Sequence, residues 1–441
     1  MSLTVEHVAR PFLGGAYASR RLSRSQGLDW IDFALIAVFF AGIYTNYPIP
    51  ISRTVPFPSA PAGVAGILLL WRRREDIPRA GLIGLVVVLA VYVTSVLLPP
   101  DLGFLPRRMN GLVQLSYSLI IGYALFATII KGTRAQISGL FLTCSLVLLV
   151  GCLLETYGGL RPVSDAARRV LYHRGFYDAD LRDLQYYDQI RPKFFASEPS
   201  SVTFCYTLFT FLWLVVSSWR WKLPAYAGLT AGGLIAMPGP TLLLMVLLVA
   251  PYLLLLASRR NGRIDLGRAL PLALLCLSCG ALFLVLATTV FSQRHRAATS
   301  GDDPSAFYRV RGPALAGAHV LKTYPVAGTG LTGEPFIKDE IMGLYVRSPA
   351  YSARWPIVQP SSELLINYFW LHWIYLGVLM GVLAAAAVTG WLVTIGVPSP
   401  AFAWAVWAIM GQAAGAYVGP SCWAVLFLAG AAALLHQRRE S

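Results

Sequence analysis

The chain has 441 residues, of which 56% are hydrophobic and 13% are charged, and its formal net charge is +15. Soluble domains carry about 25% charged residues, so this composition excludes an ordinary soluble protein and indicates a membrane protein. Much of the positive charge lies in short basic clusters beside apolar segments, and the sequence contains no zinc finger, RNA-recognition signature or long basic helix. The charge therefore predicts no nucleic-acid partner.

Apolar segments recur along most of the chain, and a helix needs about 20 apolar residues to cross the hydrocarbon core of a membrane. We predict an all-α polytopic membrane protein with about twelve transmembrane helices and two outward, periplasmic loops that contain short helices. The predicted spans, with approximate ends, are 29–46, 57–71, 80–98, 110–130, 135–154, 199–218, 223–238, 240–257, 268–291, 364–391, 400–417 and 420–436.

These spans define the domain organisation that we predict. The segments are a cytoplasmic N-terminal tail at 1–28, five helices within 29–154, a first periplasmic loop at 155–198, four helices within 199–291, a large periplasmic loop at 292–363, three helices within 364–436 and a cytoplasmic tail at 437–441.

The orientation follows from the basic residues of the short connections, because arginine and lysine near helix ends favour the cytoplasm. Six basic clusters fall on one side if the helices alternate, and they contain Arg20, Arg21 and Arg24; Arg72, Arg73 and Arg74; Lys131 and Arg134; Arg220 and Lys222; Arg259, Arg260 and Arg263; Arg438 and Arg439. Both termini are then cytoplasmic and both long loops face outward. Arg107 and Arg108 lie on the outward side and are a mild exception.

The first loop ends in a basic and aromatic segment directly before a helix that we expect to begin at Pro199. Glu198, or the serine before it, then occupies the N-cap position, which is a purely structural interpretation. The alternative is an anion site formed by the helix N-terminus together with Arg191 and Lys193. Tyr187 and the neighbouring tyrosines either stack on sugar rings or form an interfacial aromatic belt.

The large loop contains Asp302 and Asp303, a predicted helix start at Pro304, and a second predicted helix over about 313–323. That helix places His319 and Lys322 three residues apart, on neighbouring turns. Basic groups near an apolar boundary are costly unless they meet anions, and anionic lipid headgroups are the alternative to a substrate. The two aspartates are too few to hold a metal ion, so we expect neither a metal nor a cofactor.

Two spacings in these loops carry a family resemblance. Arg191 lies eight residues before Pro199, and Arg311 lies fourteen residues before the Pro-Val-Ala-Gly-Thr-Gly segment 325–330. In both respects the chain resembles the O-antigen ligase and polysaccharide polymerase superfamily of bacterial inner-membrane glycosyltransferases. The order of the motifs, their positions in the loops and the twelve-helix plan extend the resemblance over most of the chain.

This chain departs from the ligases of that superfamily in two respects. Its ligases usually carry a His-Asn pair before the helix that follows the large loop, whereas this chain has Glu363 and Asn367 there and no histidine. The Ser-Glu-Pro-Ser form at 197–200 is closer to exopolysaccharide polymerases. Both departures favour a polymerase. A ligase that transfers polymer to an acceptor and a lipid-linked saccharide transporter or flippase remain the alternatives.

The resemblance implies sugar transfer from a polyprenyl-diphosphate carrier, a chemistry that requires stabilisation of a negatively charged leaving group. Arginine binds phosphate oxygens with two parallel hydrogen bonds, so Arg191 and Arg311 are the expected diphosphate clamp. Lys322 and Lys193 are expected to assist that clamp.

The attacking hydroxyl needs a general base, for which Glu198 is the first candidate and Glu363 and His319 are the alternatives. Tyr187 is the expected sugar contact. The implied partners are a polyprenyl-diphosphate-linked oligosaccharide, membrane lipid, a flippase that delivers the repeats and a chain-length-regulating co-polymerase.

Overall fold

The computed structural model describes residues 27–50, 56–99, 101–172, 177–260, 263–264, 266–351 and 363–438. Most of the predicted N-terminal tail, residues 352–362 of the large loop and the last three residues therefore lie outside the described part. The helices, numbered in chain order, are α1 (Trp30–Thr45), α2 (Ala60–Arg72), α3 (Arg79–Leu97), α4 (Leu105–Ile129), α5 (Arg134–Tyr157), α6 (Arg161–Leu171), α7 (Asp180–Tyr187), α8 (Pro199–Val216), α9 (Lys222–Ala236), α10 (Leu243–Tyr252), α11 (Leu266–Thr289), α12 (Ser292–Ser300), α13 (Pro304–Ala306), α14 (Gly312–Thr323), α15 (Lys338–Val346), α16 (Tyr368–Thr394), α17 (Pro400–Met410) and α18 (Pro420–Gln437).

Short elements complete this helical chain. There are 3-10 turns at Arg74–Asp76, Leu102–Phe104, Pro240–Leu242 and Glu334–Ile337, and π-helical turns at Leu253–Ala257 and Phe307–Arg311. Two antiparallel pairs of two-residue strands join Ile49–Pro50 to Pro56–Phe57 and Arg259–Arg260 to Arg263–Ile264.

Each of the twelve predicted spans overlaps a helix, although the span predicted at 400–417 is helical only over Pro400–Met410. By length and composition, eight helical segments of the described residues can cross a membrane: α3, α5, α8, α11, α16, α18, Leu102–Ile129 with α4, and Pro240–Ala257 with α10. Three further apolar helices, α1, α2 and α17, are shorter. The chain is therefore an α-helical membrane protein, and the predicted twelve spans exceed the eight that meet this measure.

Helices α8 and α18 form the interior of the bundle, and α11 lies at its surface. Of the apolar windows within the described residues, 89% of Pro199–Val216 is buried and none of Leu270–Thr289 is. An apolar helix whose side chains remain exposed, as in α11, is suited to contact with lipid. Close helix crossings use small residues: a Cβ at Gly42 in α1 would lie 2.1 Å from the backbone nitrogen of Ala62 in α2.

One end of the bundle, which we call the basic end, collects the cations of the short connections. The Arg134 guanidinium donates to the Val216 and Ser217 carbonyls, and Arg438 donates to the Ile130 carbonyl. Lys131 forms a 2.8 Å ion pair with Asp76. Lys222 donates to the same Ser217 carbonyl at 2.8 Å, and Arg72 and Arg73 pair with Asp32, so four of the six predicted clusters meet here. Arg20, Arg21, Arg24, Arg439 and the side chains of the 259–263 cluster lie outside the described residues.

The glycine-containing segment 325–330 packs against a break in α16. Gly377 has a φ of 65° and interrupts the helix, which frees backbone groups on either side of it. The Thr329 N–H donates to the Ile374 carbonyl at 2.9 Å and so satisfies one of them. A Cβ at Gly328 would lie 2.3 Å from that same carbonyl oxygen, so only glycine fits there. The glycine spacing thus has a structural explanation at this break.

Candidate functional site

The segment before α8 is fixed by a buried carboxylate at the end of α5. Glu155 accepts the backbone N–H groups of Lys193 at 2.8 Å and Phe194 at 2.5 Å. Phe194 has a φ of 36°, a conformation that non-glycine residues rarely adopt and that these two hydrogen bonds hold in place. The chain therefore enters α8 along a fixed path, which positions Arg191 on one side of this turn and Glu198 on the other.

Arg191 is buried and paired within the first loop. Its Nε donates to Asp183 Oδ1 at 2.8 Å, and its Nη2 donates to the Tyr177 hydroxyl at 3.0 Å. Burial alone would lower the pKa of Arg191, but Tyr187 and Asp183 raise it above its ordinary value. Because a buried ion pair holds its guanidinium, Arg191 is a structural element of the site as well as a candidate ligand.

The two long loops meet at Tyr187. The guanidinium carbon of Arg191 lies 4.7 Å from the centre of the Tyr187 ring, and that of Arg294 in α12 lies 5.8 Å from it. Arg294 also donates to the Tyr187 hydroxyl. Tyr187 therefore joins two arginines by cation–π contacts, which is a third role besides the predicted sugar contact and aromatic belt.

Arg294 is positioned by Asp303, a residue with two functions. The Asp303 Oδ1 accepts the Ala306 N–H and caps α13, as the predicted helix start at Pro304 requires, while Oδ2 accepts Arg294 Nε at 2.8 Å. Burial lowers the pKa of Arg294, whereas Tyr187 and Asp303 raise it to a net value above the ordinary one. No local sequence pattern marks Arg294, since its partner Tyr187 lies 107 positions away.

Arg309 is the third arginine and lies in the π-helical turn Phe307–Arg311. Its Nε is buried and has no hydrogen-bond partner among the described residues. Burial lowers the pKa of Arg309, and the charges of Arg294 and Arg191 lower it further, while Glu198 opposes them. Arg309 is half-buried as a residue, and a guanidinium with one buried, unpaired nitrogen beside two other cations is stabilised by an anion that reaches it. We call Arg191, Arg294, Arg309 and Tyr187 the arginine cluster.

Glu198 occupies the N-cap position of α8, as predicted, but its side chain makes no capping hydrogen bond. The structural interpretation of Glu198 as a side-chain cap is therefore wrong. The carboxylate instead lines a cavity of about 200 Å³ together with Ser200, Ser201 and Arg309, which we call the polar cavity. Glu198 and Arg309 thus face one space from the two long loops.

A second cavity lies on the other side of Arg309. This apolar cavity has a volume of about 360 Å³, and leucines of α10 and Phe283 and Ala287 of α11 form much of its wall. Arg294, His295 and Arg309 are its basic lining residues. Arg309 and Ala413 line both cavities, so the arginine lies at the boundary between an apolar and a polar space.

The other predicted site residues lie apart from this boundary. Lys193 is buried and forms a 2.7 Å ion pair with Asp180. Arg311, Lys322 and Glu363 are exposed, and none of them lines either cavity. The structure therefore brings Arg191, Tyr187 and Glu198 together with Arg294 and Arg309. It does not bring Arg311 into the cluster: within the π-helical turn Phe307–Arg311, Arg309 lines both cavities, whereas Arg311 is exposed.

His319 belongs to a separate, half-exposed group. Its Nε2 lies 2.7 Å from Glu340 Oε2, and Glu340 Oε1 accepts the Tyr324 hydroxyl proton at 2.9 Å. These contacts join α14 to α15 and account for His319 without a ligand. Among the described residues, no group of three or more histidine, cysteine, aspartate or glutamate side chains could hold a metal ion.

The fold and the site together define an α-helical membrane protein with an arginine cluster. The cluster lies at the N-terminal end of α8, which Glu198 precedes, and the basic end lies at the C-terminal end of α8, where Val216 ends the helix. Comparison with protein-family models, with curated proteins and with solved structures finds no match to this chain.

Proposed function

We propose that this protein is a membrane glycosyltransferase that polymerises polyprenyl-diphosphate-linked oligosaccharide repeats into an exopolysaccharide or O-antigen-like polymer. The observation that carries the proposal is the position of Arg309 between the apolar cavity and the polar cavity that contains Glu198. A lipid-linked sugar has the same three parts in the same order: an apolar chain, a diphosphate and a polar saccharide. The resemblance of the loop motifs to the polymerase superfamily supports the same assignment.

The proposed topology has twelve spans, cytoplasmic termini and two periplasmic loops in the inner membrane of a bacterium. The basic end then faces the cytoplasm, as basic connections generally do. The arginine cluster and Glu198 lie beyond the other end of α8 and so face the periplasm, where a flippase delivers the lipid-linked repeats. Reporter fusions at Asp180 and Gly330 test this arrangement, because a cytoplasmic signal at either position contradicts it.

The reaction is a displacement at the anomeric carbon of the donor. A hydroxyl of the incoming lipid-linked repeat attacks that carbon and forms the new glycosidic bond. The bond between the carbon and the diphosphate oxygen breaks, and the lipid diphosphate leaves with the electron pair. Glu198 accepts the proton of the attacking hydroxyl, since its carboxylate is free of capping and lines the polar cavity.

The arginines stabilise the leaving group. Arg309 has an unpaired buried nitrogen and binds the diphosphate directly, while Arg294 lines the same apolar cavity. Negative charge on the leaving oxygens is stabilised best by donors that are already in position, because no reorganisation is needed during the reaction. Arg191 is a positioning residue in this mechanism, since Asp183 and Tyr177 hold it against Tyr187. Arg309 thereby takes the role that the sequence spacing assigned to Arg311.

The decisive experiment is the analysis of lipid-linked saccharides in a deletion strain. A polymerase deletion accumulates single lipid-linked repeats and makes no polymer. Persistent long polymer on the lipid carrier instead identifies a ligase, and repeats stranded on the cytoplasmic leaflet identify a flippase. Complementation with the wild-type protein and with Arg309→Ala, at matched membrane levels, links the phenotype to the arginine cluster. A chain-length-regulating co-polymerase is a further expected partner and affects length distribution rather than the presence of polymer.

A further inference from the structure

A third cavity lies beside the polar cavity and contains a carboxylate that the proposed reaction does not use. It has a volume of about 440 Å³ and is lined by Arg107 and Asn110 of α4, Thr332, Glu334, Tyr375 of α16 and Tyr417. The Glu334 side chain is only 3% exposed. Its Oε2 is buried and has no hydrogen-bond partner at normal distance among the described residues, although the Tyr375 hydroxyl lies close to this carboxylate. We call this space the Glu334 cavity.

The wall of the Glu334 cavity is held by reciprocal contacts between α4 and the large loop. Arg107 Nε donates to the Thr332 carbonyl at 2.7 Å, and the Thr332 hydroxyl donates to the Arg107 carbonyl at 3.0 Å. Arg107 Nη2 also donates to Glu334 Oε1 at 2.8 Å. The neighbouring Arg108 donates to the Thr329 carbonyl at 2.9 Å. Glu334 is therefore held by Arg107 through Oε1.

The chemistry of this cavity suits a neutral, hydroxyl-rich ligand. The Arg107–Glu334 pair has no formal net charge, so neither an anion nor a cation gains a full ionic partner. The buried Glu334 carboxylate, which has the Tyr375 hydroxyl beside it, accepts a hydrogen bond from a ligand hydroxyl, and a buried acceptor gains more from such a bond than an exposed one. The Asn110 amide supplies both a donor and an acceptor, and Tyr375 and Tyr417 supply aromatic surface. Carboxylate, amide and aromatic groups together match a sugar residue.

The Glu334 cavity adjoins the polar cavity, because Ala416 lines both. Ala416 has a φ of 57° and Thr332 has a φ of 53°, values that are strained for these residue types and that help to shape the wall. We propose that the Glu334 cavity is a second saccharide subsite, which binds a neutral sugar residue of the oligosaccharide whose reacting end lies at Glu198 and Arg309. This inference rests on the proposed polymerase function and adds the residues that recognise the sugar away from the reacting bond.

Two variants test the subsite, with a control on the same helix. Asn110→Leu removes the amide from the cavity wall and leaves the Arg107–Glu334 pair intact, whereas Glu334→Gln removes the charged acceptor at constant size. Val113→Leu is the control, because Val113 is an exposed residue of α4 that does not line the cavity. All three purified proteins are compared with the wild type for thermal stability in detergent before binding is measured.

The binding probe is the oligosaccharide pool released by mild acid from the lipid-linked saccharides of the same strain, observed by saturation-transfer NMR. We expect the wild type, Val113→Leu and Arg309→Ala to bind it, and Asn110→Leu and Glu334→Gln to bind at least about tenfold more weakly, as the loss of one buried contact predicts. Excess inorganic pyrophosphate should not displace the probe. Displacement by pyrophosphate, or full binding by a folded Asn110→Leu protein, overturns the subsite.

Polymer yield separates this inference from the proposed function. If Arg309→Ala abolishes polymer while Asn110→Leu makes normal polymer and binds the probe fully, the polymerase stands and the subsite is wrong. If the deletion strain makes normal polymer but the purified protein binds the released saccharides through Asn110 and Glu334, the polymerase is wrong and the saccharide site stands.

Discussion

Arginines gather at both ends of the bundle, but their partners differ. At the basic end, Arg134 and Arg438 donate to carbonyls at or beside the C-terminal ends of α8 and α4, where helices leave oxygens unpaired and where positive charge is favoured. In the arginine cluster, Arg191 and Arg294 contact aspartates and a shared tyrosine ring, and Arg309 keeps a buried nitrogen without a partner. An unpaired buried nitrogen also occurs at the basic end, at Arg73 Nε, but Arg73 pairs with Asp32 and Asp76 and lines neither of the two cavities that Arg309 lines. A basic side chain therefore indicates a site better when it lines a cavity than when it only lacks one hydrogen bond.

The largest effect that we expect in this comparison is at Arg309. Arg309→Ala should lower polymer yield by about a hundredfold or more, since losing one charge-assisted contact to a developing negative charge costs about 3 kcal/mol. Arg309→Lys should recover little, because an ammonium cannot reproduce the planar guanidinium. Arg311→Ala is the matched control in the same turn and should retain polymer, since Arg311 is exposed. Normal polymer from Arg309→Ala at matched membrane levels would remove Arg309 from the mechanism.

Arg191→Ala should combine a loss of polymer with a loss of stability. It leaves Asp183 as an uncompensated buried charge, which costs about 3–5 kcal/mol. The double variant Arg191→Met with Asp183→Asn should regain much of the thermal stability in detergent without regaining polymer, because Tyr187 is no longer held by Arg191. A double variant that is both stable and fully active would show that Arg191 is structural only.

Substitutions of Glu198 distinguish its proposed role as a proton acceptor from a role as a helix cap. Because its side chain makes no capping hydrogen bond, Glu198→Gln should change the unfolding temperature very little. The glutamine cannot accept the hydroxyl proton, so polymer should fall by a factor of roughly 10² to 10⁴. Glu198→Asp should be impaired by its shorter reach but remain measurably active. Wild-type polymer from Glu198→Gln would transfer the base assignment to another carboxylate.

Arg134→Ala, at the basic end, should affect stability and leave activity per folded protein unchanged. Its guanidinium donates to two backbone carbonyls. A hydrogen bond from a charged group contributes about 1.5–3 kcal/mol to the free energy of unfolding. Unfolding temperature and polymer per membrane-inserted protein are the two measurements. If polymer per inserted protein fell as far as in Arg309→Ala, the contrast between the two ends would fail.

The smallest effect is expected at His319. The His319–Glu340 pair is partly exposed, at 27% and 40% for the two side chains, and such pairs contribute about 0–1 kcal/mol. His319→Gln should therefore leave polymer within about twofold of the wild type, as is usual for surface substitutions. A complete loss of polymer would restore His319 as a candidate base.

The contacts of Arg107 and Arg108 explain why these two basic residues lie on the outward side of the predicted topology. Arg107 and Arg108 depart from the preference for cytoplasmic basic residues under the predicted topology. Both donate to backbone carbonyls of the large loop, at Thr332 and Thr329 respectively. Their position is therefore accounted for by the packing of that loop on α4, and the topology prediction does not need to change.

The sequence by itself determined the membrane class, the positions of the helices and the first loop, in which Arg191, Tyr187 and Glu198 lie. Composition and apolar segment length suffice for this, because transfer of a helix into lipid depends on local hydrophobicity. The tertiary structure alone decided which arginines meet: Tyr187 and Arg294 are 107 positions apart, and a π-helical turn separates inward Arg309 from exposed Arg311. Burial, ion pairing and the register of a single turn arise only when distant segments pack together, so no local pattern could select Arg309 over its neighbour.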